Sequence, residues 1–371
     1  MTARLRDTSS DTLGLNCRMP AEWERHEATW MAWPHYRGDW PGKFEPIPWM
    51  YAEIIRHLSR HERVELIVND AVSEKRARKT LAQANALNKS VCFHRWPTNR
   101  VWTRDSGCTF VECGAGALAR ATVAPESELC AITWRFNAWA KYSNYRHDEK
   151  IGSLMAKTAK ARPIQPVFGK HRVVLEGGSI DVNGQGTLLT TEECLLSKVQ
   201  RRNPGMTRSD YEQLLAQYLG IKNVIWLVSG IVGDDTHGHV DDITRFVAPD
   251  TVVTAVESDP NDANYEPLRE NIRRLRCATD QNGKALAIVE LPMPAPVIFE
   301  KRRLPASYAN FYVANGVVLV PVFNDPNDRF ALDILADLFP DREVIGIYSG
   351  DLIWGFGAMH CMTQQEPALS T

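Results

Sequence analysis

Apolar positions along the chain fall into a recurring order: a helical face, a short turn, an apolar strand, then a loop rich in glycine and charge. In WMYAEIIRHLSRH, Met50, Ile54 and Leu58 recur every four residues, which predicts one buried helical face; RVELIV follows as a β-branched run that predicts a strand. The order returns in SEKRARKTLAQANAL, VCFHRW and WTRDSG, and in DEKIGSLMAKTAKA, RPIQPVF and LEGGSI. It returns again in SDYEQLLAQYLG, NVIWLV and DDTHGHVDD, then in YEPLRENIRRLRC, ALAIVEL and SYANFYVANGVVLVPVF, and last in FALDILADLF, EVIGIYS and GFGAMHC. From the second helix on, units begin near Ser73, Asp148, Ser209, Tyr265 and Phe330, an irregular spacing that averages in the sixties. A recurrence of that size points to stacked or radial α/β units. A plain alternating βαβ sheet has the same local pattern.

Composition narrows the function more than the fold. The 371 residues are 44% apolar, enough for a sizeable core; length alone suggests two or three domains, but a single closed α/β fold can be this long, and with no linker or low-complexity block to divide them residues 1–371 are expected to form one domain. The 43 basic and 45 acidic residues nearly cancel, leaving no basic field to draw the chain to nucleic acid or to a membrane surface. The start, MTARLRDTSSDTLGLNCRMP, has no apolar core of signal-peptide length, and no apolar run reaches the roughly 18 residues of a spanning helix. A soluble, cytoplasmic protein is the expectation. The eight cysteines, Cys17, Cys92, Cys108, Cys113, Cys130, Cys194, Cys277 and Cys361, form no C-x-x-C pair. They are expected to be mostly reduced, with neither a disulfide framework nor a structural zinc site.

Four of the loops after strands carry clustered chemistry. In DDTHGHVDD, an extended backbone would put His237, His239 and Asp241 on one side, a metal-ligand pattern as well as a catalytic one. In WTRDSG, Trp102 and Asp105 offer a π face and a carboxylate, which suit a planar cation; an Arg104–Asp105 surface pair is the plainer alternative. In LEGGSI, Glu176 precedes two glycines that let backbone approach a ligand, or it caps a turn. In GFGAMHC, Cys361 is either a buried thiol or a nucleophile, and a nucleophile needs help to ionise. His239 could supply that help, whereas His360, adjacent in sequence, would point to the other face of a strand. One thiol, one imidazole and three carboxylates on separate loops fit attack on a flat cation such as the guanidinium of a small molecule.

Taken in order, MPAEWERHEATWMAWPH, WTRDSG, FNAWAKY, LEGGSIDVNGQGT, GHVDD, YANFYVANGVVLVPVF and HCMTQQEP resemble the agmatine deiminase family, which stands with the peptidyl-arginine deiminases. The resemblance spans most of the chain. It implies a five-bladed α/β propeller, pentein-like, of pseudo-symmetric ββαβ units around a central site. It implies Cys361 as nucleophile, His239 as general acid/base, Asp105 and Asp241 as guanidinium-binding carboxylates, Glu176 as a further acidic residue and Trp102 as a substrate-facing aromatic. The implied reaction converts agmatine to N-carbamoylputrescine and ammonia through a covalent amidino-thioether. No metal or organic cofactor is implied, and a homo-oligomer is. The chain departs from the family pattern at Cys108, where proline is usual, and at His237, where aspartate is usual. It departs also at Phe356, Ala358 and Met359, where a glycine run and Asn-Ile are usual. These changes crowd the loop that presents Cys361 and bear on turnover and substrate choice. Three other readings remain: a metal-dependent hydrolase on His237, His239 and Asp241, a guanidine- or polyamine-binding relative without turnover, and amidino transfer. The stretch TWMAWPHYRGDW is a candidate lid, although Trp30 and Trp33 suit a core better.

Overall fold

A computed structural model describes residues 16–114 and 127–369; residues 1–15, on which much of the signal-peptide reading rests, lie outside them. The fold is mixed α/β. Five small sheets of three or four strands follow one another along the chain, with two short hairpins between them. Each sheet holds a parallel pair joined through a helix, because parallel strands need a crossover long enough to return to the same end. Helix Ile151–Thr158 links strands Glu128–Ile132 and Arg162–Ile164. Helix Arg208–Leu219 links Thr187–Thr191 and Asn223–Leu227. Helix Tyr265–Cys277 links Thr251–Val256 and Ala287–Pro292, and Asn327–Leu338 links Val317–Val322 and Glu343–Tyr348. The remaining sheet runs Gln364–Pro367, His26–Ala32, Arg63–Val68, Val91–Arg95, with helices Ile47–Leu58 and Ala71–Gln83 as its two crossovers. The last described strand thus pairs antiparallel with one near the start, tying the two ends of the chain together.

The predicted helices are present because each has a core face, and two of them also have a side-chain cap at the start. Helix Ile47–Leu58 buries Met50, Ile54 and Leu58 together with Ile47, Tyr51 and Ile55. Asp70 accepts the backbone N–H of Ser73 at the start of Ala71–Gln83. Thr207 and Asp210 form a capping box, and Gly220 ends that helix at φ 72°, the left-handed region that favours glycine.

Three expectations are corrected and one choice is decided. Cys17 and Cys113 form a disulfide, 96 residues apart in sequence but opposite one another on the antiparallel strands Cys17–Arg18 and Thr109–Cys113; sequence spacing carries no trace of that pairing. The other six cysteines are free thiols. RPIQPVF is two short strands, Arg162–Ile164 and Val167–Phe168, because Pro166 interrupts the run. Of the two readings of Trp30 and Trp33, the core one holds: the strand His26–Ala32 lies between two others, and both indoles are buried. Finally, Glu176, expected at the end of an apolar strand, lies past the short strand His171–Arg172 and leads into the turn Gly177–Ser179.

Candidate active site

Three of the four chemistry-bearing loops line one cavity of about 380 Å³, among others through Trp102, Asp105, Asp235, Phe356 and Cys361; Glu176, His239 and Asp241 stand against that lining, His239 beside Asp105 and Glu176, and Asp241 beside Cys361. Asp105 sits on the helical turn Thr103–Ser106, Glu176 ahead of Gly177–Ser179, His239 and Asp241 at the turn Val240–Asp242, and Cys361 in the loop before Gln364–Pro367. All five are buried.

His239 is the hub. Its Nδ1 lies 3.9 Å from Asp105 Oδ2 and 3.9 Å from Asp241 Oδ1, and its Nε2 lies 3.8 Å from Glu176 Oε2. None of these is a hydrogen bond, so both ring nitrogens, Glu176 Oε2 and Asp241 Oδ1 are buried without a partner, a costly arrangement in a finished core. Cys361 Sγ is 3.8 Å from Asp241 Oδ2 and accepts the side-chain N–H of Asn310 at 3.1 Å. The sulfur and the imidazole therefore approach opposite oxygens of one carboxylate. Gly178 makes the crowding possible: a Cβ there would lie 2.5 Å from His239 Nδ1 and 2.9 Å from Asp241 Oδ2. Its N–H donates to Asp105 Oδ1 at 3.0 Å.

These distances set the protonation states. Burial pushes the Cys361 thiol well up, and the carboxylates of Asp241, Asp242 and Asp105 push it further. Burial alone would lower His239, but Asp105 above all holds its imidazolium well past neutrality. Burial would raise Glu176, yet Arg202, which donates Nε–H to Oε1 at 3.1 Å, and His239 hold it at about 2. Burial raises Asp105, against the pull of His239.

The supporting residues were mostly invisible in the sequence. His360, set aside as pointing away, bridges Asp241 Oδ2 at 2.6 Å and Glu22 Oε2 at 2.8 Å. No strand contains it, so strict alternation of faces does not apply. Glu22 also receives Arg104 at 3.1 Å and Arg245 at 2.9 Å. Asp242 accepts Asn310 at 2.9 Å. Trp139 donates its indole N–H to Asp105 Oδ2 at 2.8 Å. It sits in a run of three left-handed non-glycine residues, Ala138, Trp139 and Ala140 at φ 51°, 58° and 53°, a strained backbone that aims the ring. FNAWAKY held that residue, but nothing in the motif marks the indole as a donor.

The H-x-H-x-D segment is not extended. His237 takes φ 65°, and its ring turns to Ser197, 3.1 Å away, and toward Glu193. His237 therefore joins neither of the two described sets that could hold a metal, Glu176–Cys194–His239 and Asp241–Asp242–Cys361, whose ligand atoms lie within 4.8 Å of one another.

Comparison with known proteins extends the geometry to the whole chain. The agmatine deiminase of Pseudomonas syringae pv. tomato is 34% identical, covering 94% of this chain and 95% of that protein. The solved agmatine deiminase of Enterococcus faecalis superposes with a TM-score of 0.84 at 30% identity, over 99% of both chains. A substrate-bound agmatine deiminase of C. jejuni does so with a TM-score of 0.82 at 27% identity, over 98% of this chain and 99% of that one. The pattern of the Porphyromonas-type peptidyl-arginine deiminases matches residues 18–367. Because that match runs from the first described strand to the last and does not rest on one motif, the chain belongs to the Porphyromonas-type peptidyl-arginine deiminase family.

Proposed function

We propose that this protein is an agmatine deiminase, hydrolysing the guanidinium of agmatine to N-carbamoylputrescine and ammonia. The observation that carries the reading is the shared carboxylate: Cys361 Sγ and His239 Nδ1 flank the two oxygens of Asp241, with Asp105 beside them. Two carboxylates can pair with the N–H groups of a planar cation and hold its carbon before the sulfur, while Trp102 offers a π face in the cavity wall.

In the free site the thiol keeps its proton. A bound guanidinium neutralises Asp105 and Asp241, lowers the thiol, and so lets the proton leave to solvent through the cavity. The sulfur attacks the guanidinium carbon. His239 gives its proton to an NH2 nitrogen of the adduct, the C–N bond breaks, and ammonia departs. The amidino-thioether remains. His239, now neutral, takes a proton from water, the oxygen adds to the same carbon, the C–S bond breaks, and the ureido product leaves. The net change is guanidinium plus water to urea derivative plus ammonium. Glu176, held ionised by Arg202, stabilises the protonated ring between these steps.

In this reading the five sheets are the blades of a five-bladed α/β propeller, residues 1–371 form one catalytic domain, and the protein works as a cytoplasmic homo-oligomer. An ammonia-release assay tests the function. Agmatine should outrun arginine and peptidyl-arginine, and turnover should survive a chelator. Cys361→Ser should lower kcat by at least about 10⁴-fold with an unchanged Tm, and His239→Ala should lower it by about 10³-fold. A Cys361→Ser protein that releases ammonia at the parent rate would falsify the nucleophile assignment.

A further inference from the structure

The mouth of the cavity carries a charge pattern that the dication agmatine does not explain. Asp235 lines the mouth, but both of its oxygens are taken. Oδ1 accepts Lys141 Nζ at 2.6 Å and Arg302 Nη2 at 2.9 Å, and Oδ2 accepts the Tyr142 hydroxyl at 2.6 Å. The other carboxylate there, Asp39, faces Arg100, whose Nε lies 3.4 Å from Oδ1. Burial pushes the Asp39 carboxyl up to about 7, so it is only partly ionised at neutral pH. Three cations, Arg100, Lys141 and Arg302, thus outnumber two carboxylates. Two of the three reach water: the side chains of Arg302 and Lys141 are 50% and 34% exposed. Arg302 and Lys141 reach the cavity through its lining: both sit on Asp235, and Arg302 lies over the Phe356 ring, 4.2 Å from its centroid. Phe356 is one of the positions where the sequence departs from the family pattern.

The cavity is therefore bipolar, acidic at its floor and cationic at its mouth. An ammonium tail has to displace Lys141 or Arg302 from Asp235. A carboxylate tail is attracted at the mouth while its guanidinium is attracted at the floor. We propose that ω-guanidino carboxylates are a second substrate class of this site, with Arg302 and Lys141 receiving the carboxylate; 4-guanidinobutyrate matches agmatine in length. The inference rests on the deiminase reading of the floor, and the chemistry is the same. Water supplies the oxygen of the new C=O, one C–N bond breaks, the nitrogen leaves as ammonium, and the carboxylate is unchanged.

The test pairs turnover with binding. Ammonia release from agmatine, 4-guanidinobutyrate and neutral-tailed butylguanidine is measured for the parent protein and Arg302→Ala. The affinities of the same three compounds are measured by calorimetry in a Cys361→Ser background, with and without Arg302→Ala. The parent protein should hydrolyse 4-guanidinobutyrate with kcat/KM within about tenfold of agmatine. Arg302→Ala should lower that value about fivefold, raise agmatine, and leave butylguanidine within about twofold, with affinities moving in parallel. A protein that hydrolyses agmatine but neither binds nor hydrolyses 4-guanidinobutyrate overturns the proposal, as does an Arg302→Ala effect equal for all three. No ammonia from any compound defeats the deiminase reading instead, and the calorimetric ratio of 4-guanidinobutyrate to butylguanidine then decides the tail proposal alone.

Discussion

The floor and the mouth of the cavity hold their charges in different surroundings. At the floor, Glu176 and Arg202 pair with both side chains fully buried, and Glu22 is gripped by Arg104, Arg245 and His360. At the mouth, Asp235 is bound by two side chains that reach water. Removing one partner of a buried pair strands a charge and costs about 3–5 kcal/mol, whereas an exposed pair contributes about 0–1 kcal/mol. The floor is therefore where fold and chemistry are joined and a change is damaging. At the mouth, Lys141 and Arg302 can change with less effect on folding, and in the proposal above that is where substrate choice is set.

The largest test of that contrast is Gly178→Ala. The added methyl would press on His239 Nδ1 and Asp241 Oδ2. Misplacement on the scale of an ångström should lower kcat about 10²-fold, and stopped assays on purified protein read it directly. A loss of less than about threefold would mean the floor is far looser than its distances imply. Next is pH. With the Cys361 thiol of the free site raised, the reactive thiolate is a minor species at neutrality. Both kcat/KM and the rate of Cys361 alkylation by iodoacetamide should rise about tenfold per pH unit above neutrality. A flat profile there would place the thiolate before binding. The smallest effect belongs to the mouth: Lys141→Ala should move KM by about twofold to threefold, fade in high salt, and leave Tm within a degree or two.

Much of the fold was legible along the chain. Four-residue apolar spacing marked the helix Ile47–Leu58 and its successors, and β-branched runs marked Arg63–Val68, Asn223–Leu227 and Glu343–Tyr348. Of the site, Cys361, His239, Asp241, Asp105, Glu176 and Trp102 could be named as candidates, since each is an unusual residue in a glycine-rich loop after an apolar element. Their partners could not. Glu22, Arg202, Asn310 and His360 are ordinary in their local context, and each acts only through a residue 26 to 338 positions away.

The sequence by itself determined the local elements and the types of reactive group, because periodicity and side-chain chemistry are properties of neighbouring residues. The tertiary structure decided which groups meet: His360 beside Asp241, His237 turned away, Cys17 against Cys113, and Arg302 on Asp235. It also decided their charges, since a carboxyl or thiol responds to burial and to the nearest opposite charge. Both are set by segments far apart in the chain, and no local pattern records them.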